Sequence, residues 1–176
     1  RLLPKDTTRH DSVQSGAISS NRMQKQHTNI LILGGGIGGY GTYRSLAKQL
    51  KRHNLNHKIT LLDQNNYFTF TPMLHEAATG GVEPSHCAIP LRSLISAPHQ
   101  FIRAKIITLD PIKQEVITNV GTITYDYVVV ALGSAVNYFK TPGAAEFSYN
   151  VRTLPAAMRL QEKIIDLLEN GPETLN

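Results

Sequence analysis

Asn29-Ile30-Leu31-Ile32-Leu33-Gly34-Gly35-Gly36-Ile37-Gly38-Gly39-Tyr40 is an apolar run broken by a glycine cluster, and helix-forming residues follow it. It reads as strand, tight turn, helix. The spacing Gly34, Gly36, Gly39 is the dinucleotide fingerprint, and each glycine has its own mechanical role. Gly34 permits the turn out of the strand, Gly36 lets backbone approach a pyrophosphate, and Gly39 lets the helix pack closely on the sheet. The first turn of that helix then offers unpaired N–H groups and the positive dipole end to phosphate. A glycine turn alone is common, so the reading needs a second strand that ends in an acid. Lys58 to Leu62 supplies that strand and Asp63 the acid, which follows Gly39 by roughly the 20 residues expected of a ribose-binding carboxylate.

Working outward, the composition narrows the classes of function. The longest uninterrupted apolar run, Val128 to Leu132, is far shorter than the roughly 20 residues of a membrane helix. The net charge of +5 is concentrated in residues 1–27, where Arg1, Lys5, Arg9, Arg22 and Lys25 outnumber Asp6 and Asp11. With no basic run and no interleaved aromatics, nucleic acid is not an expected partner. Cys87 is the single cysteine, so no internal disulfide or CxxC redox pair lies within these residues, and it reads better as a buried thiol than as a reactive one. No metal site is expected.

Residues 1–27 are polar and without an apolar period, which predicts a disordered lead-in. Met23 stands just ahead of the first strand and is the expected natural start. After Asp63, Gln64 to Gly81 reads as a loop feeding a short helix around Leu74 to Ala78. Ile89 to Ile95 looks helical, and Phe101 to Leu109 alternates apolar and polar residues. Glu115 to Asn119 and Thr122 to Tyr125 add two strands around Val120-Gly121, making a small β-meander. The apolar strand through Tyr127 to Leu132 has no polar face, so it should be central in a parallel sheet. Ala156 to Leu168 has helical periodicity and is stopped by Gly171-Pro172, with no partner evident for the helix.

Four motifs in order, NILILGGGIGGYG, ITLLDQNNYFTFTPMLHEAATG, FIRAKIITLD and TYDYVVVALGS, resemble the FAD domain of flavoproteins with two dinucleotide-binding domains. Among these the chain most resembles the type II NADH dehydrogenases, single-subunit NADH:quinone oxidoreductases. The resemblance runs from Thr28 to the end and implies an α/β, Rossmann-like FAD-binding domain with a parallel sheet and an inserted β-meander. It implies that Gly34, Gly35, Gly36, Ile37, Gly38 and Gly39 hold the FAD pyrophosphate and that Asp63 and Gln64 meet the adenosine ribose. Gln64 stands where many FAD proteins carry a basic residue. The backbone of Ile106 would contact adenine, and Gly133 would let the chain pass close to the cofactor. The LHEAA stretch would face the quinone side, where His75 and Glu76 are candidates for a proton relay; plain surface charge is the stronger reading of that pair.

The family's second glycine fingerprint, for NADH, its returning strand of the FAD sheet and its membrane-binding C-terminal region are not found before Asn176. The expected organisation is therefore an N-terminal fragment: residues 1–27 lead-in, 28–155 the first part of an incomplete FAD domain, and 156–176 a helix leading to a missing NADH-binding domain. At full length the resemblance implies hydride transfer from NADH to FAD and reduction of a quinone. It also implies a cytoplasmic enzyme peripheral to the inner face of a membrane, reached through the missing C-terminal region, and is compatible with a homodimer. The alternatives are a sulfide:quinone oxidoreductase-like flavoprotein, which relies on cysteines, and a non-catalytic FAD- or nucleotide-binding module.

Overall fold

In the computed structural model, which describes residues 27–171, the opening apolar run forms β1 (Thr28–Leu33) and the segment after the glycines forms α1 (Ile37–Arg52). The expected lead-in through residue 26 and the expected start at Met23 lie outside the described residues. β2 (His57–Asp63) ends on the acid, as the sequence predicts. The following segment contains β3 (Tyr67–Thr69) and α2 (Leu74–Ala78), joined by a 3-10 turn at Thr71–Met73. Next come β4 (Ala88–Pro90), α3 (Leu91–Leu94), β5 (Gln100–Arg103) and β6 (Ile106–Asp110). The chain continues through β7 (Glu115–Thr118), β8 (Gly121–Thr124), β9 (Tyr127–Val130), α4 (Ala144–Phe147) and α5 (Leu154–Asn170).

Four strands form a parallel sheet in the order β5-β2-β1-β9. The register sets Ile102, Leu62, Leu33 and Val130 in one row across it, so all four strands end at a common carboxyl edge. β1 is buried on both faces because its neighbours lie on either side and layers cover it above and below. Ile30 and Ile32 point with Ile59, Leu61 and Phe101 into a cluster closed by Tyr43 of α1 and Leu91 of α3. Leu31, Leu33 and Leu62 point the other way, against Ala104, Val116 and Tyr125. That second layer is the antiparallel meander β6-β7-β8. Each fully buried Leu or Ile contributes about 1.5–3 kcal/mol, so β1 and β2 anchor the sheet.

Four expectations are corrected. Ile89 to Ile95 is not one helix: Ile89 lies in β4, which pairs antiparallel with β3 through Phe68↔Ile89, and only Leu91–Leu94 is helical. Phe101 to Leu109 is not one strand but two, divided at Ala104-Lys105, with β5 in the parallel sheet and β6 in the meander. β9 is not central among the described residues. It closes one end of the strand order, and Tyr127 and Val130 are 66% and 59% exposed. Its apolar composition suits a strand flanked on both sides, and among the described residues it pairs with β1 alone. Lastly, α5 does have a partner. Its first turns pack on α2, where Ala157 and Leu160 meet Leu74, Ala77, Ala78 and the fully buried Cys87.

Candidate functional site

The glycine turn sits where β1 meets the carboxyl edge, and its geometry follows from crowding on one side and space on the other. Gly34 has φ +103°, and a Cβ there would lie 2.3 Å from the Ala131 carbonyl oxygen that continues β9. Only glycine fits that approach. A Cβ on Gly39 would lie 1.8 Å from the Gly34 oxygen, so the first turn of α1 presses directly on the turn preceding it. Gly36 is the opposite case: nothing lies within 4 Å of where its Cβ would be. The missing side chain there leaves room outside the protein's own packing.

That room opens onto a cavity of about 1450 Å³ along the carboxyl edge. It exceeds the ~300–1,000 Å³ of a typical small-molecule site, and it is long enough to cross the sheet. Gly36 caps α1 without any side-chain hydrogen bond, and the first turn carries no acidic residue. The N–H groups of Ile37, Gly38 and Gly39 precede any partner four residues back, so this end of α1 is a donor-rich, electropositive cradle. Asp63 is held beside it. Its Oδ2 accepts from the Gly35 N–H at 2.6 Å and its Oδ1 from the Asn65 N–H at 2.7 Å. Each carboxylate oxygen keeps a second lone pair for a ligand hydroxyl. The turn, the helix end and the acid thus fit a diphosphate joined to a ribose.

Of the residues singled out from the sequence, Gly34, Gly35, Gly36, Ile37, Gly38, Asp63, Gln64, Ile106 and Gly133 all line this cavity. Gly39 does not; it is buried behind the turn and supports it. His75 and Glu76 do not line it either. They sit on α2 with His75 Nε2 3.9 Å from Glu76 Oε1, both well exposed. The segment ahead of them does reach the cavity, through Tyr67, Thr69, Thr71 and Pro72. The lining presents the N–H groups at the start of α1 and the Asp63 carboxylate, groups that can bind and orient a ligand.

Two parts of the lining were not legible from the sequence. At one end, Ala104 and Lys105 join Ile106 and Ile107, where the strand crosses from sheet to meander. Arg103 nearby donates from Nε to the Gln64 carbonyl at 3.1 Å. At the other end, Arg152, Thr153 and Pro155 bring the start of α5 to the cavity beside Gly133 and Ser134. Arg152 donates from Nη2 to the Ser134 carbonyl at 3.2 Å and to its hydroxyl. The available signal was Thr153-Leu154-Pro155, an N-cap followed by a helix-starting proline, which marks a second helix N-terminus.

Strand order fixes the direction of the cavity. β5 and β9 lie three strand spacings apart, roughly 14 Å. The wall after β5 and the wall after β9 are therefore opposite ends, with the glycine turn between them. β1 is the switch point, where connections leave towards β2 on one side while β9 returns on the other.

Comparison with known proteins agrees with this geometry. A family model described as pyridine nucleotide-disulphide oxidoreductase matches residues 28–170. The external alternative NAD(P)H-ubiquinone oxidoreductase B1, mitochondrial, of Solanum tuberosum is 28% identical over 91% of this chain and 30% of its own length. The type II NADH:quinone oxidoreductase of Staphylococcus haemolyticus is 30% identical over 84% of this chain and 37% of its own. The solved sulfide:quinone oxidoreductase of Aquifex aeolicus superposes with a TM-score of 0.71 at 30% identity, covering 81% of this chain and 33% of that one. The chain thus spans about a third of the length of the curated relatives it matches.

Proposed function

The chain belongs to the pyridine nucleotide-disulphide oxidoreductase family, and on that premise we propose that it is the FAD-binding part of a larger NADH:quinone oxidoreductase. The observation that carries this reading is the cavity itself. It runs along the carboxyl edge in both directions from a helix N-terminus with no side-chain cap hydrogen bond, past Gly36, whose side of the turn is open. A mononucleotide would fill one side of the switch point; a dinucleotide fills both. The similarity to enzymes named for NAD(P)H and quinone supports the wider reaction.

In this reading the N–H groups at the start of α1 hold the pyrophosphate, and Asp63 accepts from the ribose hydroxyls. The wall at Ala104 to Ile107 receives the adenine, with the Ile106 backbone against the base. Gly133, Ser134 and Arg152 border the opposite, flavin end. FAD, when bound, supplies the hydride and electron chemistry, to which the protein adds position and electrostatics. No helix among the described residues is long and apolar enough to cross a membrane; attachment to a membrane surface through a C-terminal region is part of this proposal.

Residues 28–155 form the first part of the FAD domain in this proposal, and α5 leads towards an NADH-binding domain. α5 is anchored on α2 by its first half, while Ile165 and Leu168 near its end remain exposed, Leu168 to 80%. The open edge of β9 would take the returning strand that completes the sheet.

The test is flavin binding. The protein should retain or take up FAD, read by visible absorbance and isothermal titration. Gly36→Val should weaken FAD at least tenfold while lowering Tm little, because its side chain enters the ligand's space and not the core. Unaltered affinity in Gly36→Val sinks the placement. A second reading, as a sulfide:quinone oxidoreductase, is favoured by the Aquifex superposition. The full-length protein separates the two: reduction of its flavin by NADH supports the first, and reduction by sulfide alone supports the second.

A further inference from the structure

The wall after β5 is an interruption in regular structure. β5 ends at Arg103, β6 begins at Ile106, and Ala104-Lys105 carry the chain from one sheet to the other. Beyond it the β6–β7 register slips between Ile106 and Thr108, a bulge that leaves Ile107 exposed towards the cavity. Such a stretch has no ladder of its own to hold it, and its backbone groups need other partners.

For Lys105 a single residue supplies both. Asn119, in the two-residue turn between β7 and β8, accepts at Oδ1 from the Lys105 N–H at 2.7 Å and donates its own N–H to the Lys105 carbonyl at 3.1 Å. Both backbone groups of Lys105 are thereby gripped by a single residue. On the other side the Ala104 N–H donates to the Asp63 carbonyl at 2.8 Å, so the crossing is pinned between the acid's strand and Asn119. The turn that carries Asn119 is itself braced. Thr118 is 5% exposed; its Oγ1 donates to the Gly121 carbonyl at 2.6 Å and accepts from the Val120 N–H at 3.2 Å.

We propose that Asn119 is the positioning residue for the adenosine end of the site: by clamping Lys105 it sets the backbone edge of Ala104 to Ile106 against which the base docks. The proposal rests on the FAD reading given above. A site that reads a base through backbone must hold that backbone within about 0.5 Å, and this wall has Asn119 as its side-chain support. Because the wall lies across the sheet from Gly133 and Arg152, the effect is confined to one half of the ligand.

The experiment measures Kd for ADP, FAD and FMN in the full-length protein stripped of flavin, for wild type, Asn119→Ala, Asn119→Asp and Thr118→Val. Asn119→Ala should weaken ADP and FAD about tenfold, the worth of one such hydrogen bond. FMN affinity and the visible spectrum of bound FAD should stay as in wild type. Asn119→Asp keeps an Oδ1 acceptor and should stay within about threefold of wild type. Thr118→Val should show the same ADP-selective loss in smaller degree, and it decides the matter if Asn119→Ala does not fold. Equal losses for ADP and FMN, or no loss for ADP, overturn the proposal while leaving the FAD reading intact. A wild type that binds neither ADP nor FAD overturns both.

Discussion

Ile59 donates its backbone N–H to His99 Nδ1 at 3.2 Å, a bond that requires the imidazole to be unprotonated at that nitrogen. Two titratable groups face His99: the His57 ring of β2, with centroids 5.3 Å apart, and Tyr43 of α1, edge-on at 5.6 Å. Burial, and secondarily the neighbouring His57, hold His99 below its ordinary value of 6.5. The unfolded chain therefore binds more protons than the folded one between 6.5 and the lowered value. Stability is complete above 6.5 and declines as pH falls through that window. His99 is partly exposed, so solvent screens the effect: Tm should decline modestly as pH falls from above 6.5 into that window. In His99→Gln, whose amide oxygen can accept from Ile59, the slope should flatten; an unchanged slope in thermal scans would reject the assignment. At this scale the sequence was legible where sterics dictate identity. Gly34 and Gly39 can be nothing else, and Asp63 is found by its distance from them. Asn119 was not legible, because a turn asparagine is ordinary until the partner 14 residues away is seen.

Among the elements, α5 shows how a short signal controls a long helix. Thr153 Oγ1 accepts from the Ala156 N–H at 3.3 Å, Pro155 occupies the first turn, and Gly171 ends the helix at φ +70°. The helix starts at Leu154, two residues before the apolar period reveals it. Thr153→Ala should cost about 1 kcal/mol, seen as a Tm loss of about 2–4 °C in thermal unfolding; no loss would show that docking on α2 alone fixes the start. The remaining misreadings have one physical origin. β4 is three residues long and exists because β3, about 20 residues earlier, pairs with it. The break at Ala104-Lys105 carries no glycine or proline, and alternation runs straight through it. Pairing partners distant in sequence decide such elements, and local periodicity does not report them.

Over the whole molecule, three buried clusters divide the work: one under α1, one under the meander, and one between α2 and α5. The apolar strand β9 was read as central from composition, and its position at the end of the described order is the largest disagreement between pattern and structure. Composition reports the burial a strand is suited to, whether or not the neighbour is at hand. If a returning strand completes the sheet, the amides of Tyr127 to Val130 that face away from β1 should exchange rapidly in residues 27–171 alone. They should become protected in the full-length protein. Rapid exchange in both would exclude a strand on that edge.

The cavity walls come from Gly34 to Gly38, Asp63 to Pro72, Ala104 to Ile107, Ala131 to Ser134 and Val151 to Pro155. The enclosure around the glycine turn thus includes residues made more than a hundred positions later. A nascent polypeptide carries its cradle early but has no enclosure until β9 has docked and α5 has begun. In the FAD-binding reading, loading would therefore wait for the synthesis and docking of β9 and the first turn of α5, so the cradle alone would not template the folding that encloses it.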